Sequence, residues 1–478
     1  MRRSIIALSI TLGVAFSAPM HAEGWQSDVI GVTQSQLSPS YWLAQGASAK
    51  VIMAEAQIAA FNEKLIKENK YIVDPLSFQK SLTKDELTSA IHSASSIPKS
   101  PRFFTDGRQL TAKDFAKYQA NLNLNKVVDN NEVRFAVVVK RTALRTFPTW
   151  DRVLNSGLDQ DLDRFQESGM FPGEAVAVLH QSADKKWLLV RAYNYLAWTP
   201  AEDLAFADAD KIKAYREQDN FLVVTGAKVN TAYVPNDETL SEVQLDMGVR
   251  LPLVDSEQVP YLLNGQNSYA SHVVQLPTRD EQGKLVIKPA MISKTADVNL
   301  GYLDYNEQNL IKQGFKFLGE RYGWGHDYNG RDCTGFVGEI YKSFGLLMPR
   351  NSGQQAKSNY GKNIRFSLVQ QTSEKALPLR VNSEKQERLQ TLQVGDLLYL
   401  PGHVVMFLGM DNGQPYIIHD VKDYSVVQEN GELYQGVLNG VSVTPLLPLK
   451  DYVNQLSVIK RITQPVNKVD LMNKTTKR

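Results

Sequence analysis

The chain has 478 residues, with 53 Lys and Arg against 51 Asp and Glu, 43% hydrophobic residues and a single cysteine. That length calls for several domains. A near-neutral balance leaves no electrostatic footprint for nucleic acid, and one cysteine excludes an internal disulfide.

The first 22 residues read MRRSIIALSITLGVAFSAPMHA. A basic start, a short apolar run from Ile5 to Phe16 and small residues up to Ala22 predict a secretory signal peptide over 1–22. No cysteine lies near the cut, so no lipoprotein attachment is expected. No other stretch is long and apolar enough for a transmembrane helix. The mature chain is therefore expected to be exported, periplasmic or extracellular, without a membrane anchor. It is read as a monomer.

From Ser48 to Lys70, Val51, Ala54, Ile58, Phe61 and Leu65 fall at steps of three and four, which predicts a helix with one packed face. The chain then stays polar and mixed to about residue 130, with breaks at Pro98 and Pro101. This gives a partly helical N-terminal segment over 23–130. From Val133 the pattern becomes short β-rich runs divided by Gly, Asp, Asn and Pro turns. Two small β-barrels, 131–210 and 218–297, fit this better than one large sheet. Beyond Gly301 helix and strand alternate. Leu310, Ile311, Gly314, Phe315 and Leu318 mark a helix face. Residues 362–390 read as a polar surface insertion. Two later strands are joined by a turn at Asp411-Asn412-Gly413, and 466–478 reads as a frayed tail. The fold class is multidomain α+β.

The lone Cys333 stands in GRDCTGFVGEIYKSFG. An unpaired thiol in an oxidising compartment is paired between chains, buried and inert, or reactive. Asp332 is a good N-cap. Phe336, Val337, Ile340, Tyr341 and Phe344 follow at helical spacing, and Gly345 is a plausible stop. Cys333 thus opens a buried helix, whose positive end favours a thiolate, and Gly335 would let another element approach closely. His403 begins an apolar strand, and His419 lies on the strand after the turn. The hairpin would set the two side by side, one to take the thiol proton and the other to hold its ring. Two histidines paired within a sheet and satisfied by hydrogen bonds is the bland alternative. Zinc on Cys333, His403 and His419 lacks the usual short ligand spacing, so no metal or other cofactor is expected.

The segment GERYGWGHDYNGRDCTGFVGEIYKSFGLLMPRNSGQQA closely resembles the NlpC-type cell-wall cysteine peptidases, a papain-like family. VGDLLYLPGHVVMFLG and IIHD match its two histidine segments. RTALRTFPTW and DRFQESGMFPGEAVAVLHQSADKKWLLVRAYNYLAWTPAEDLA are similar to a bacterial SH3-type domain, and FLVVTGAKV to the start of a second. The resemblance implies a catalytic domain over 301–465 with Cys333 as nucleophile, His403 as general base and His419 orienting it. It gives Tyr322 to the oxyanion together with the Cys333 backbone N–H, and makes Asp332 the cap that shapes the site. Trp324 and Gly325 would serve packing and close backbone approach.

The implied function is a peptidoglycan hydrolase, a thiol endopeptidase that cuts stem peptides between γ-D-glutamate and diaminopimelate or lysine. The alternatives are an N-acetylmuramoyl-L-alanine amidase or an acyltransferase on the same scaffold, or a non-catalytic wall-binding protein. Family members read a free L-alanine amine with an aspartate before the serine of a Pro-Arg-Asp-Ser motif. Here Asn351 precedes Ser352, which weakens that anchor and favours glycan-linked stems. Tyr195 is the candidate tyrosine from the first SH3-type domain, with barrel packing as its other reading. His326 replaces a family glycine, and is read as facing solvent or, less simply, substrate.

Overall fold

A computed structural model describes residue 27 and residues 29–367, 382–428 and 432–463. The expected signal segment, the tail and the middle of the polar insertion lie outside the described residues. Among the described residues no helix is long and apolar enough to cross a membrane.

The N-terminal segment does not form a core of its own. Helix α1 (Pro39–Ala44) buries Trp42, and α2 (Glu55–Glu68) buries Ile58, Phe61 and Leu65. All four enter the C-terminal core. The expected helix start at Ser48 is too early. Val51 lies outside the helix and is 40% exposed, and Ala54 is the cap. Two helices that the polar stretch concealed, α3 (Lys84–Ala94) and α4 (Ala112–Asn121), open on the capping boxes Thr83/Glu86 and Thr111/Asp114. Their few apolar residues, Leu87, Ile91 and Tyr118, pack with Phe147, Phe165, Trp187 and Trp198 of the β-rich region that follows.

That region holds β1 (Arg134–Val138), β2 (Thr142–Arg145), β3 (Gln166–Met170), β4 (Ala175–Gln181), β5 (Trp187–Arg191), β6 (Leu196–Pro200) and β7 (Leu204–Phe206). They form one antiparallel sheet in the order β7-β1-β4-β5-β6-β2-β3. Helix α5 (Ala209–Arg216) leads to a second β-rich unit. It contains β8 (Phe221–Val224), β9 (Arg250–Pro252), the long hairpin of β10 (Ser271–Arg279) and β11 (Leu285–Ser293), and β12 (Val298–Leu300). Its separate core includes Leu222, Val224, Leu251, Val274 and Ile292.

The C-terminal region starts with α6 (Glu307–Phe315), α7 (Cys333–Lys342) and α8 (Ser352–Lys357). It continues through β13 (Lys362–Arg365), α9 (Ser383–Leu389), β14 (Leu397–Leu400), β15 (His403–Asp411), β16 (Gln414–Val427), β17 (Leu433–Pro445), α10 (Lys450–Gln455) and β18 (Val458–Arg461). The sheet runs β13-β18-β14-β15-β16-β17. The polar stretch after 362 is therefore not wholly an insertion, since β13 pairs with β18. Asn412 and Gly413 both take positive φ, 49° and 78°, which suits a tight two-residue hairpin turn. Helix α7 lies against β15 and β16 with Phe336, Val337, Ile340 and Tyr341 fully buried, at ~2 kcal/mol of apolar burial per side chain.

Candidate active site

Asp332 caps α7 as its sequence position requires. Its Oδ1 accepts from the Gly335 N–H at 2.8 Å and from the Thr334 hydroxyl at 2.9 Å. Its Oδ2 accepts from Arg350 Nη2 at 2.6 Å and from the Gly325 N–H at 3.1 Å. Burial opposes the Asp332 charge, but Arg350 and these hydrogen bonds prevail and hold the carboxyl well below its ordinary range.

Cys333 follows, 7% exposed, with the Val404 N–H close enough to its sulfur to favour the thiolate. The thiol is thus seated beside the start of β15, next to His403. The expected thiolate is not favoured in this resting geometry. Burial first, and then the Asp332 charge, push the thiol up to about 12, against the pull of Val404 and Arg350. Burial also lowers His403 to about 4. The resting pair is therefore a neutral thiol and a neutral imidazole.

The hairpin sets His403 and His419 together. His403 Nε2 lies 3.3 Å from His419 Nδ1, and His419 Nε2 lies 3.0 Å from Thr444 Oγ1 on β17. With Nε2 engaged, Nδ1 of His403 is the nitrogen left to take a proton. The matching tautomers have His403 Nε2–H donating to His419 and His419 Nε2–H donating to Thr444. Tyr452 of α10 packs edge-on against both rings, 5.6 and 5.9 Å away. His419 is fully buried, and burial lowers it well below the ordinary imidazole range.

Tyr322 is buried and near enough to feel charge on Cys333, although burial is the larger reason its hydroxyl stays protonated. Trp324 donates from Nε1 to the Gln166 carbonyl at 3.0 Å. Gly325 has φ +57°, and a Cβ there would sit 3.0 Å from the Glu167 carbonyl carbon, so the backbones of the two regions approach closely there.

His326 does not face bulk solvent. It is buried, with φ +67°. Its Nδ1 accepts from the Gly169 N–H at 3.3 Å and stands 3.3 Å from Arg350 Nη2, while Nε2 contacts Glu339 Oε1 at 3.0 Å. The element that Gly335 admits is this ring, since a Cβ on Gly335 would lie 2.8 Å from His326 Nε2.

Tyr195 hydrogen-bonds through its hydroxyl to Glu167 Oε2, and Asn351 is within hydrogen-bonding reach of the same hydroxyl. Asn351 caps α8, of which buried Ser352 is the first residue. The β-rich sheet thus brings Tyr195, with the Glu167 carboxylate it meets, to the Asn351 loop. Sequence reasoning missed Glu167, Thr444 and Asp420. Glu167 and Asp420 stand inside segments quoted above for the resemblance, but their place at the site, like that of Thr444, follows from strand pairing and contact between regions rather than from local spacing.

Asp420, beside His419, is fully buried, and neither carboxyl oxygen has a hydrogen-bond partner among the described residues. Burial, and then the like charges of Asp332 and Glu320, push it well above the ordinary carboxyl range despite Arg331. An acid raised in the fold binds its proton more tightly there than in the unfolded chain. Stability therefore falls as pH climbs above the ordinary carboxyl value of about 4. Asp420→Asn is expected to melt higher than the parent at pH 8, with a smaller gap at pH 5, by circular dichroism. An equal gap at both pH values would contradict this.

Residues 319–441 match the NlpC/P60 family, and residues 148–200 match an SH3 domain of the SH3b1 type. The chain thus carries an NlpC/P60 domain behind an SH3 domain. Over 197 residues the chain is 27% identical to a gamma-D-glutamyl-L-lysine dipeptidyl-peptidase of Bacillus cereus, covering 39% of this chain and 53% of the relative. A Bacillus subtilis protein of the same name is 42% identical over 55 residues, 11% of this chain and 19% of the relative. The chain thus spans about half the length of the first relative and less of the second. An NlpC/P60 endopeptidase structure from Photobacterium damselae subsp. piscicida superposes with a TM-score of 0.66 at 19% identity, covering 87% of this chain and 90% of that one, so the multidomain fold is shared.

Proposed function

We propose that this protein is a thiol hydrolase of the bacterial cell wall that cuts peptidoglycan stem peptides at the γ-D-glutamyl bond. The observation that carries this reading is Cys333 at the start of α7 beside a His403–His419–Thr444 row, within an NlpC/P60 domain. Cys333 Sγ attacks the γ-carbonyl carbon as its proton passes to Nδ1 of His403. The oxyanion is met by the Cys333 N–H and the Tyr322 hydroxyl, a kind of interaction worth roughly 3 kcal/mol. The carbonyl reforms as the C–N bond breaks, and the leaving amine takes the proton from His403. Water, deprotonated by His403, then cleaves the thioester and returns the thiol. His419 holds the ring of His403 throughout, with Thr444 behind it.

The β-rich regions 131–210 and 218–297 act as SH3-type walls of the cleft, and the protein works outside the cytoplasm. Tyr195, Glu167, Asn351 and Ser352 line the side where the stem begins. The Glu167 carboxylate makes a free amine a reasonable occupant there despite Asn351.

The test is mass spectrometry of products from free L-Ala-γ-D-Glu-diaminopimelate and from whole sacculi. A cut after γ-D-glutamate is the expected result. Release at the muramoyl–L-alanine bond would make the protein an amidase, and binding to sacculi with no product would make it a wall-binding module.

A further inference from the structure

The rim beside Tyr322 carries several cations from three regions, and most are matched. Arg152 pairs with Asp327 at 2.6 Å, Arg321 with Asp161 at 2.6 Å, and Lys422 with Asp159 and Asp161. Arg164 is different. Its guanidinium stacks over the Trp324 ring, 4.7 Å from the centroid. Its Nε is buried without an acceptor, and among the described residues its side chain has no hydrogen bond or ion pair. Arg102 lies close enough for the two charges to oppose each other, and among the described residues it donates only to Ser100 and the Pro101 carbonyl. The groups that face Arg164 in return are Tyr322 and Asp159, and Asp159 is already held by Lys422.

A planar fork fixed against an indole, short of an anion and next to the residue assigned to the oxyanion, suits bidentate capture of a carboxylate. A stem peptide offers a carboxylate on each side of the bond to be cut. We propose that Arg164, supported by the field of Arg102, is a carboxylate-binding subsite that selects stem peptides with a free acid flanking the scissile bond. This deepens the stem-peptide reading above and rests on it. The acid belongs either to γ-D-glutamate (its α-carboxyl) or to the side chain of diaminopimelate.

The test uses L-Ala-γ-D-Glu-diaminopimelate and two amides, one at each of these carboxyls. Affinities for Cys333→Ala protein are measured by calorimetry, and turnover is measured on the parent. One amide is expected to bind about tenfold more weakly than the acid, and its identity tells which carboxyl Arg164 holds. Arg164→Gln should bind all three peptides alike and raise KM about tenfold with little change in kcat. Arg164→Lys should recover part of the preference. Circular dichroism checks that both variants fold. Equal binding of the three peptides, no binding of any, or discrimination retained in Arg164→Gln would overturn the subsite. Discrimination without any cut would leave the subsite standing and sink the hydrolase reading instead.

Discussion

Cys333→Ala is expected to remove all measurable turnover, and His403→Ala to lower kcat roughly 1000-fold. His419→Ala should cost about 100-fold, because it frees the His403 ring without removing the base. These losses should not simply add, since the three residues act on one proton. The pH dependence follows from the same burial. With the thiol pushed up to about 12 and His403 lowered to about 4, thiolate in the free protein grows as pH rises, and His403 stays an unprotonated base throughout the neutral range. Iodoacetamide capture of Cys333 should therefore climb about tenfold per pH unit from roughly pH 6 to 9. A plateau near neutrality would mean that a thiolate–imidazolium pair already exists at rest, and that the helix end outweighs burial.

The second large effect concerns Arg331, which is fully buried. It donates to Glu339 at 2.7 Å, Glu320 at 2.5 Å, Asp246 at 3.2 Å and the Ala227 carbonyl at 2.8 Å. Glu339 belongs to α7, whereas Asp246 and Ala227 come from the second β-rich unit. Arg331→Met would fill the volume but remove the buried cation that three acids share, leaving Asp246 to Arg141 at 3.1 Å, Glu320 to Lys228 at 3.1 Å and Glu339 to the His326 ring at 3.0 Å. The expected cost is about 3–5 kcal/mol of unfolding free energy, a large part of what a domain usually has. Urea unfolding followed by tryptophan fluorescence measures it, and hydrogen exchange in α7 should rise in parallel. A cost under about 1 kcal/mol would show that water reaches these acids once the guanidinium is gone.

Much of the site was legible because its logic is local. An N-cap, a cysteine and a run of apolar residues at helical spacing define α7, and a two-residue turn sets His403 beside His419. The resemblance of Tyr322 to Asp332 and of Pro349 to Ser352 to one family then suggested roles. What stayed hidden depends on contacts across the chain. Thr444 supports His419 from a strand 25 residues away, and Glu167 reaches Tyr195 from another strand of its sheet. The thiol's protonation was misjudged because helix position is visible in a sequence and burial is not. Helices α3 and α4 escaped notice because each presents only one or two buried apolar residues, and the rest of their support is supplied by Phe147, Phe165 and Trp198. His326 looked like a surface residue in a polar loop, and its acceptor and donor partners lie on two other elements.

The seating of His326 makes three positions in separate parts of the chain interdependent. The ring occupies space that side chains on Gly169 and Gly335 would fill, since Cβ atoms there would stand 2.9 Å from His326 Cβ and 2.8 Å from its Nε2. A methyl group at either place would have to displace the imidazole, and with it the contact to Glu339. The three positions are therefore one unit: a side chain can be added at 169 or 335 only if the one at 326 gives way.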